Sequence, residues 1–142
     1  MKILHIITDL SQGGAQKLLF KLIKNDTQNT HVVISLMGYG HYKEIFHEMG
    51  IVNYALGMNN SLLDLIKVIR LFKLIKKEKP SHVQTWMYHC DLLGGIVAKL
   101  AGIKKIYWGV VAYNLDASVM KFRSRLIIKL NSLLSYFIPS KI

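Results

Sequence analysis

Gly13 and Gly14 have the residue type and the position of a phosphate-binding loop, because they separate an apolar run from a helical pattern. Unpaired N–H groups and the positive end of the helix dipole favour an anion such as a diphosphate at the start of a helix. Without side chains, the backbone there also lets a ligand come close. A glycine pair that only allows a tight turn is the alternative, and this pattern alone leaves it open.

His89 is the second candidate, because it follows the segment 82–86, which is predicted to be the fourth strand. A neutral imidazole beyond the end of such a strand can hydrogen-bond a sugar hydroxyl or a carbonyl of a reacting group. Lone histidines also serve structural roles, so both interpretations stand. Asp91 is interpreted as the N-cap of the next helix in preference to a catalytic acid or base.

The other potential ligands do not form a metal site in the sequence. Cys90 is the only cysteine, which excludes a disulfide within the chain and a cysteine-based zinc cluster. The other histidines lack metal-ligand spacing: His5, His31, His41, His47 and His82. The first loop matches neither G-x-G-x-x-G nor G-x-x-x-x-G-K-[ST], so the dinucleotide fingerprint and the P-loop are excluded too. We therefore expect no metal and no bound cofactor.

Alternating apolar strands and amphipathic helices must position these residues. The pattern predicts strands at 3–7, 31–36, 51–56, 82–86 and 105–108, and helices starting near 14 and at 41–49, 62–78, after 91 and at 119–136. This order predicts a single α/β domain over 1–142, a Rossmann-like doubly wound parallel sheet with helices on both faces. The first strand has no polar alternation, so it should be central in the sheet.

Ligands of such sheets bind outside the carboxyl ends of the strands. The segments 9–14, 86–91 and 109–116 follow strands one, four and five. They contain the residues that we expect to line a cleft or an acceptor site: Asp9, Tyr88, Asp91, Asn114 and Asp116.

Basic residues exceed acidic ones, with 19 Lys and Arg against 8 Asp and Glu and a formal net charge of +11. This excess favours a polyanionic partner, which is nucleic acid, anionic lipid or a phosphorylated ligand. Two helices combine it with a broad apolar arc, and their cations are candidates for a membrane-facing surface: Lys67, Arg70, Lys73, Lys121 and Arg123. A membrane interface, a missing domain and plain solvated lysines all fit these helices. Aromatic residues do not interleave with the lysines on one strand face, so nucleic acid is disfavoured.

The amino terminus has one lysine, and its apolar run ends without a small-residue cleavage site. It is therefore a poor signal peptide. No run of 18 or more uncharged apolar residues is present to span a bilayer. We expect a cytoplasmic protein, with a peripheral position at the inner face of the membrane if the basic helices bind lipid.

Three ordered segments resemble the family 4 glycosyltransferases. They are LHIITDLSQGGAQ at 4–16, QTWMYHCDLLGG at 84–95, and YWG at 107–109 followed by NLD at 114–116. The resemblance extends over essentially the whole chain. It implies a GT-B fold, in which two Rossmann-like domains face a cleft, and it implies that this chain is the N-terminal, acceptor-side domain. The C-terminal donor-binding domain is then absent.

The resemblance also implies a reaction, the transfer of a sugar from a nucleotide-sugar co-substrate to an acceptor with retention of anomeric configuration and without a metal. Gly13 and Gly14 would meet the donor diphosphate, and His89 would lie near the transferred sugar. The acceptor would be a lipid-linked or surface-polysaccharide precursor. We expect the isolated chain to be inactive, because half of the cleft is missing. A non-catalytic truncated product and a subunit that needs a separate donor-binding chain are the alternatives.

Overall fold

The central element of the fold is the first strand, β1, which pairs with a parallel strand on each side. The computed structural model describes residues 1–59, 64–109 and 122–141. In this part of the chain the strands are β1 (Lys2–Ile7), β2 (Thr30–Ser35), β3 (Val52–Ala55), β4 (His82–Trp86) and β5 (Ile106–Gly109). Their order is β3-β2-β1-β4-β5, and every pairing is parallel. The predicted central position of the first strand is confirmed.

Helices cover both faces of this sheet. They are α1 (Gly14–Asn25), α2 (Tyr42–Glu48), α3 (Asp64–Glu78), α4 (Tyr88–Leu100) and α5 (Phe122–Leu134). Leu19 of α1 and Phe46 of α2 pack in one core cluster, and Leu71 of α3 and Val97 of α4 pack in a second cluster. Since β1 contributes to both clusters, the sheet is doubly wound. The predicted Rossmann-like α/β fold is confirmed.

Burial on both faces explains why β1 is almost entirely apolar, with His5 as its one polar residue after Lys2. Leu4 and Ile6 belong to the cluster beneath α3 and α4, whereas Ile7 belongs to the cluster beneath α1 and α2. All three side chains are fully buried. A strand with only one covered face would alternate apolar and polar residues.

Two glycines bring α4 close to the sheet. A Cβ atom on Gly94 would lie 3.1 Å from side-chain atoms of Ile6, and one on Gly95 would lie 2.8 Å from Nε1 of Trp108. These distances leave no room for a methyl group without displacement of the neighbouring side chains. The glycine pair therefore fixes the height of α4 above β1 and β5, and with it the position of the first turn of α4 at the sheet edge.

The start of α4 differs from the prediction. Asp91 is not the N-cap, because that position is held by Met87 and the helix begins at Tyr88. The N–H groups of Cys90 and Asp91 donate to the carbonyl oxygen of Met87, at 2.9 and 3.0 Å. The chain turns into the helix directly after β4, so His89 belongs to the first helical turn instead of a preceding loop.

The remaining boundaries agree with the prediction within the described residues. The predicted starts of the helices at 62–78 and 119–136 fall in ranges outside those residues. After α5 the chain returns to β5, where Lys141 bridges Tyr107 and the N–H of Ser140 donates to the carbonyl of Ile106 at 2.7 Å. Of the helices described, none has the length and apolar character needed to cross a membrane.

Candidate functional site

The loop between β1 and α1 is ordered by its own side chains. The Asp9 carboxylate accepts hydrogen bonds from the Ser11 backbone N–H at 2.8 Å, from the Ser11 hydroxyl, and from Nε2 of Gln16 at 2.9 Å. Gln16 is buried in the first turn of α1. Asp9 thus ties the loop to the helix that follows it, and its predicted contact with an acceptor stays a prediction.

Gly13 and Gly14 form the exposed start of α1. Gly13 is the N-cap in extended conformation, and no side chain within the described residues caps the helix there. A Cβ atom on Gly14 would meet nothing within 4 Å, whereas one on Gly13 would lie 2.4 Å from Oε1 of Gln16. The first N–H groups of α1 are therefore reachable from solvent, which suits an anion. Diphosphate binding by this pair remains a prediction.

Gly40 supports the same loop from behind, and sequence reasoning missed it. A Cβ atom on Gly40 would lie 2.5 Å from the Leu10 carbonyl and from the Ser11 nitrogen, so only glycine fits. The next turn also donates to this loop, because the N–H of Tyr42 bonds the Leu10 oxygen at 3.0 Å. The only available sequence signal was a glycine-rich turn after the second strand, which does not reveal its partner.

The turn after β4 has an unusual backbone. Met87 has φ 74° and ψ 149°, a region that residues with side chains rarely adopt. Such a conformation costs of the order of 1–3 kcal/mol and persists only where its surroundings hold it. The N–H of Met87 donates to the Gly109 carbonyl at 3.2 Å, which anchors the turn to the end of β5.

Thr8 connects the two loops. Its hydroxyl lies 3.8 Å from Sδ of Met87 and 3.5 Å from Sγ of Cys90, the residues that flank Tyr88 and His89. Thr8 also directly precedes the loop that carries the glycine pair. The carboxyl ends of β1 and β4 therefore meet, at the place where the strand order reverses and open α/β sheets bind their ligands.

His89 lines a cavity of about 460 Å³ at this edge. The cavity lies among the ends of the strands and the helices α3, α4 and α5, and its lining is Thr8, Leu36, Met37, Met58, Asp64, Val68, His89, Leu92, Leu93 and Ile127. Seven of these ten residues are apolar. Partial burial lowers the pKa of His89 below its ordinary value, so its imidazole is neutral at pH 7.

The rings of Tyr88 and His89 are in contact, with centroids 4.1 Å apart and a tilt of 36° between their planes. Helix α5 holds this pair from the other side. The Tyr88 hydroxyl donates to Oγ of Ser124 at 3.3 Å, and Nδ2 of Asn131 donates to the Tyr88 carbonyl at 2.7 Å. Sequence reasoning missed Ser124 and Asn131. Their signal was weak: both are polar residues on the otherwise apolar inner face of α5.

Asp91 is turned away from the edge. It is 2% exposed and accepts a hydrogen bond of 2.6 Å from the Thr85 hydroxyl, and burial raises its pKa to about 7. Its predicted cleft contact stays a prediction, but the structure places its carboxyl beneath the first turn of α4. Cys90 is fully buried, which raises the pKa of its thiol to about 12, so the thiol is protonated at pH 7.

A separate row of hydrogen-bonded side chains crosses the opposite face of the sheet, beneath α1. Nε1 of Trp86 donates to Nδ1 of His5 at 3.3 Å, and Nε2 of His5 lies 3.0 Å from Nδ1 of His31. Since an indole only donates, the His5 proton must sit on Nε2 and point to His31. Burial and the neighbouring His31 lower the pKa of His5 to about 3. None of these three side chains lines the cavity beside His89.

The predicted membrane-facing cations do not share one environment. Arg70 and Lys73 are exposed on α3. Lys67 differs, because its ammonium lies 3.2 Å from the Asp64 carboxylate and also donates to the Gly57 carbonyl. The membrane-facing role of Lys67 stays a prediction, although the structure holds its ammonium beside the cavity by this ion pair. Four predicted site residues lie outside the described residues, Arg123 in its side chain only: Asn114, Asp116, Lys121 and Arg123.

The outer face of α5 is apolar and exposed. Phe122 is 80% exposed and Leu133 is 68% exposed, and further large apolar side chains continue this stripe: Leu126, Leu130, Tyr136 and Phe137. Arg125 and Lys129 are exposed on the same helix. No group of three or more His, Cys, Asp or Glu side chains in the described ranges is placed to hold a metal ion.

Comparison with known proteins finds relatives in structure only. No family model matches the chain, and no curated protein matches its sequence. Among solved structures, HepE from Anabaena in complex with UDP superposes with a TM-score of 0.76 at 17% identity, covering 99% of this chain and 36% of that one. The galactosyltransferase WaaB of the lipopolysaccharide outer core superposes with a TM-score of 0.62 at 17% identity, and the match covers 90% of this chain and 37% of WaaB. MurG from Acinetobacter baumannii superposes with a TM-score of 0.60 at 14% identity, and the match covers 90% of this chain and 38% of MurG.

These likenesses define the class of fold. The chain has the fold of a GT-B glycosyltransferase-like domain, and it corresponds to one Rossmann-like half of such a protein. It spans little more than a third of the length of the structures that it matches. At these identities the comparison supports the fold, and assignment to family 4 stays with the resemblance of the sequence segments.

Proposed function

We propose that this chain is the acceptor-side domain of a retaining, family 4-type glycosyltransferase that moves a sugar from a nucleotide-sugar donor to an acceptor. The carrying observation is the contact of Thr8 with Met87 and Cys90, because it joins the glycine loop to the turn that bears His89. A donor bound across this edge would touch both. HepE, which shares the fold, is described in complex with UDP, and this supports a nucleotide-sugar as the ligand.

The glycine loop is assigned to the diphosphate. The open space at Gly14 lets a phosphate reach the first N–H groups of α1. As the sugar departs, the diphosphate gains negative charge, and these N–H groups stabilise it more in the transition state than in the ground state. No metal is needed for this step in the proposal.

His89 is assigned to the transferred sugar. Its neutral imidazole can hydrogen-bond a sugar hydroxyl without bringing a positive charge toward a carbon that itself becomes positive in the transition state. The contact with the Tyr88 ring holds the imidazole at the cavity wall. The expected role is therefore orientation and electrostatic stabilisation of the sugar.

The lining of the cavity favours a lipid-linked acceptor over a free polysaccharide precursor. Leu92, Leu93 and Ile127 on α4 and α5 form part of an apolar wall beside His89. A polysaccharide chain would leave its hydroxyl groups without partners against such a wall, whereas an alkyl or isoprenyl chain removes apolar surface from water. At about 460 Å³ the cavity has the size of a site for a small ligand.

The proposal includes three partners of the domain. They are a donor-binding domain or chain that closes the cleft, the acceptor, and an anionic membrane surface at the inner face of a cytoplasmic membrane. The exposed apolar stripe of α5 with Arg125 and Lys129 beside it supports the membrane contact. A partner-dependent subunit and a non-catalytic product remain the alternative proposals, and nucleic acid is not expected to bind.

The function is tested by joining this chain to the donor-binding half of a related enzyme and measuring sugar transfer from nucleotide-sugars to lipid-linked acceptors. We expect transfer by the joined protein and none by the 142-residue chain alone. Gly14→Trp should strongly reduce transfer, because the indole would occupy the space in front of the first N–H groups. Leu18→Trp, an exposed position on the same helix, is the matched control. Turnover by the isolated chain that Gly14→Trp abolishes would overturn the half-site proposal.

The acceptor class is tested by methionine methyl NMR on the chain itself. Met37 and Met58 line the cavity, whereas Met1 and Met49 lie outside it and serve as internal controls. Monomeric dodecyl maltoside should shift the two cavity signals, and maltose should shift neither. Equal effects of detergent and sugar, or shifts at Met49 as large as those at Met58, would refute an apolar site.

A further inference from the structure

We propose that Asn131 and Ser124 of α5 are positioning residues that hold the imidazole of His89 in its orientation through Tyr88. This inference rests on the proposed role of His89. It extends that role to a helix that starts more than thirty residues further along the chain and carries no residue of the reacting centre.

The turn that carries His89 cannot hold itself in place. Met87, at its start, has a positive φ that residues with side chains rarely adopt, so relaxation of this residue would swing Tyr88 and His89. Strain of this kind persists only under external constraints. The constraints on one side are the Gly109 carbonyl and the Thr8 side chain.

Helix α5 supplies the constraint on the other side. The 2.7 Å bond from Asn131 to the Tyr88 carbonyl fixes the backbone, and the 3.3 Å bond from the Tyr88 hydroxyl to Ser124 fixes the ring. The ring in turn lies against the imidazole in a tilted contact, with centroids 4.1 Å apart. Backbone and side chain of Tyr88 are thus both held by α5, and His89 follows them.

The amide of Asn131 has one possible orientation. A carbonyl only accepts hydrogen bonds, so Nδ2 and not Oδ1 must face Tyr88. Oδ1 is then buried without a hydrogen-bond partner among the described residues. An unpaired buried acceptor costs about 1–3 kcal/mol. Among the described residues, the donation to the Tyr88 carbonyl is thus the hydrogen bond that the Asn131 amide makes.

Two charged groups face the same cavity and must be considered when His89 titrates. The Asp64 carboxylate lines the cavity from α3, and Lys67 is ion-paired to it. Burial is the cause of the lowered pKa of His89. If the turn loosens, the ring becomes more hydrated, and its pKa should rise toward the ordinary value of about 6.5.

The experiment compares Asn131→Leu with the wild-type 142-residue chain by NMR titration of its histidines. Leucine keeps the shape of asparagine and removes the donor. We expect the pKa of His89 to rise and the ring-current shift from Tyr88 to shrink, with the signals of His41 and His47 unchanged. Asn25→Leu is the matched control, because it removes an equivalent bond of 2.8 Å from a side-chain amide to a helix carbonyl on α1.

Further variants separate positioning from general stability. Tyr88→Phe and Ser124→Ala each remove only the ring hydroxyl contact, so each should produce the same change in His89 at smaller size, even if Asn131→Leu does not fold. In the joined enzyme, Asn131→Leu should lower kcat with little change in donor KM. A folded Asn131→Leu chain with an unchanged His89 titration and ring-current shift would overturn the inference. Since the NMR result needs no activity, it stands or falls separately from the proposed reaction.

Discussion

The loop after β1 and the turn after β4 meet at one edge of the sheet, but they are held in different ways. In the first loop, Asp9, Ser11 and Gln16 bond one another within eight positions of the chain. In the turn, Met87 is strained, and the residues that hold Tyr88 come from α5.

This contrast follows from what each segment must present. The first loop offers backbone N–H groups, and a short run of residues can arrange these by itself. The turn offers one side chain, whose direction depends on an unfavourable backbone and therefore on contacts from elsewhere. The first loop is therefore organised mainly by its own side chains, with support from Gly40 and the Tyr42 N–H, whereas the turn depends on contacts from β5 and α5.

The largest expected effect is on the pH dependence of the free energy of unfolding, and it comes from two buried titratable residues near the two segments, Asp91 and His5. The pKa of Asp91 is raised to about 7, so the folded state keeps its proton between about pH 4 and 7 while the unfolded state loses it. The contribution of Asp91 to the free energy of unfolding therefore falls as the pH rises through this range, by about 4 kcal/mol in total. Asp91→Asn should remove this fall.

His5 lies in the strand that leads to the first loop, and its contribution to stability should depend on pH in the opposite direction. Its pKa is lowered to about 3, so below pH 6.5 the unfolded state binds a proton that the folded state does not. The contribution of His5 to the free energy of unfolding should rise with pH from 3 to 6.5 by about 5 kcal/mol, and His5→Gln should remove this rise. Between about pH 4 and 6.5 the two contributions oppose each other, so the wild type should be nearly flat and each variant should show the slope of the other group. Urea unfolding between pH 4 and 8 measures the slopes. If both variants keep the wild-type slope, these two groups do not control the pH dependence.

Substitutions in the two segments should differ in their effects on kcat and KM. In the joined enzyme, His89→Ala removes one transition-state contact and should cost about 2–4 kcal/mol, seen mainly in kcat. Gly14→Trp should raise donor KM as well as lower kcat, because it blocks a contact made in both states. Steady-state kinetics on variants with unchanged melting temperatures checks the split. Wild-type kcat in a folded His89→Ala enzyme would leave His89 with a structural role.

A smaller effect on stability is expected from the glycines. Gly94→Val places atoms in the space between α4 and Ile6, where even a single added Cβ would lie 3.1 Å from Ile6 side-chain atoms. Overpacking of this kind costs about 1–3 kcal/mol. Gly14→Ala is the control, because its Cβ meets nothing within 4 Å. Thermal melting of both variants is sufficient. Equal melting temperatures would show that α4 does not need the close approach.

The smallest expected effect is at the membrane. The 142-residue chain should bind vesicles with anionic lipid more weakly as salt rises, and Lys129→Glu should weaken binding by about 1–2 kcal/mol, since each cation near such a surface contributes about 1 kcal/mol. Lys21→Glu on α1 makes the same change of charge on the other face of the sheet and should have little effect. Equal binding to neutral and anionic vesicles would remove the electrostatic part of the proposal.

Local pattern was enough to predict the architecture. The almost unbroken apolar run of β1 predicts a strand covered on both faces, and the order of strands and helices predicts the doubly wound sheet. The close approach at Gly94 and Gly95 was also predictable, because a helix that carries two glycines can pack close to its neighbours. These features depend on burial and periodicity, which the sequence contains directly.

The sequence by itself therefore determined the sheet, its central strand and the glycine loop, whose bonds join residues close in the chain. Only the tertiary structure decided the rest of the site. Nothing local indicates that Met87 takes a positive φ, that Asp91 turns inward to Thr85, or that Asn131 reaches the Tyr88 carbonyl. The physical reason is that a strained turn and a buried carboxyl are stable only when distant residues hold them, and the sequence does not show which distant residues come into contact.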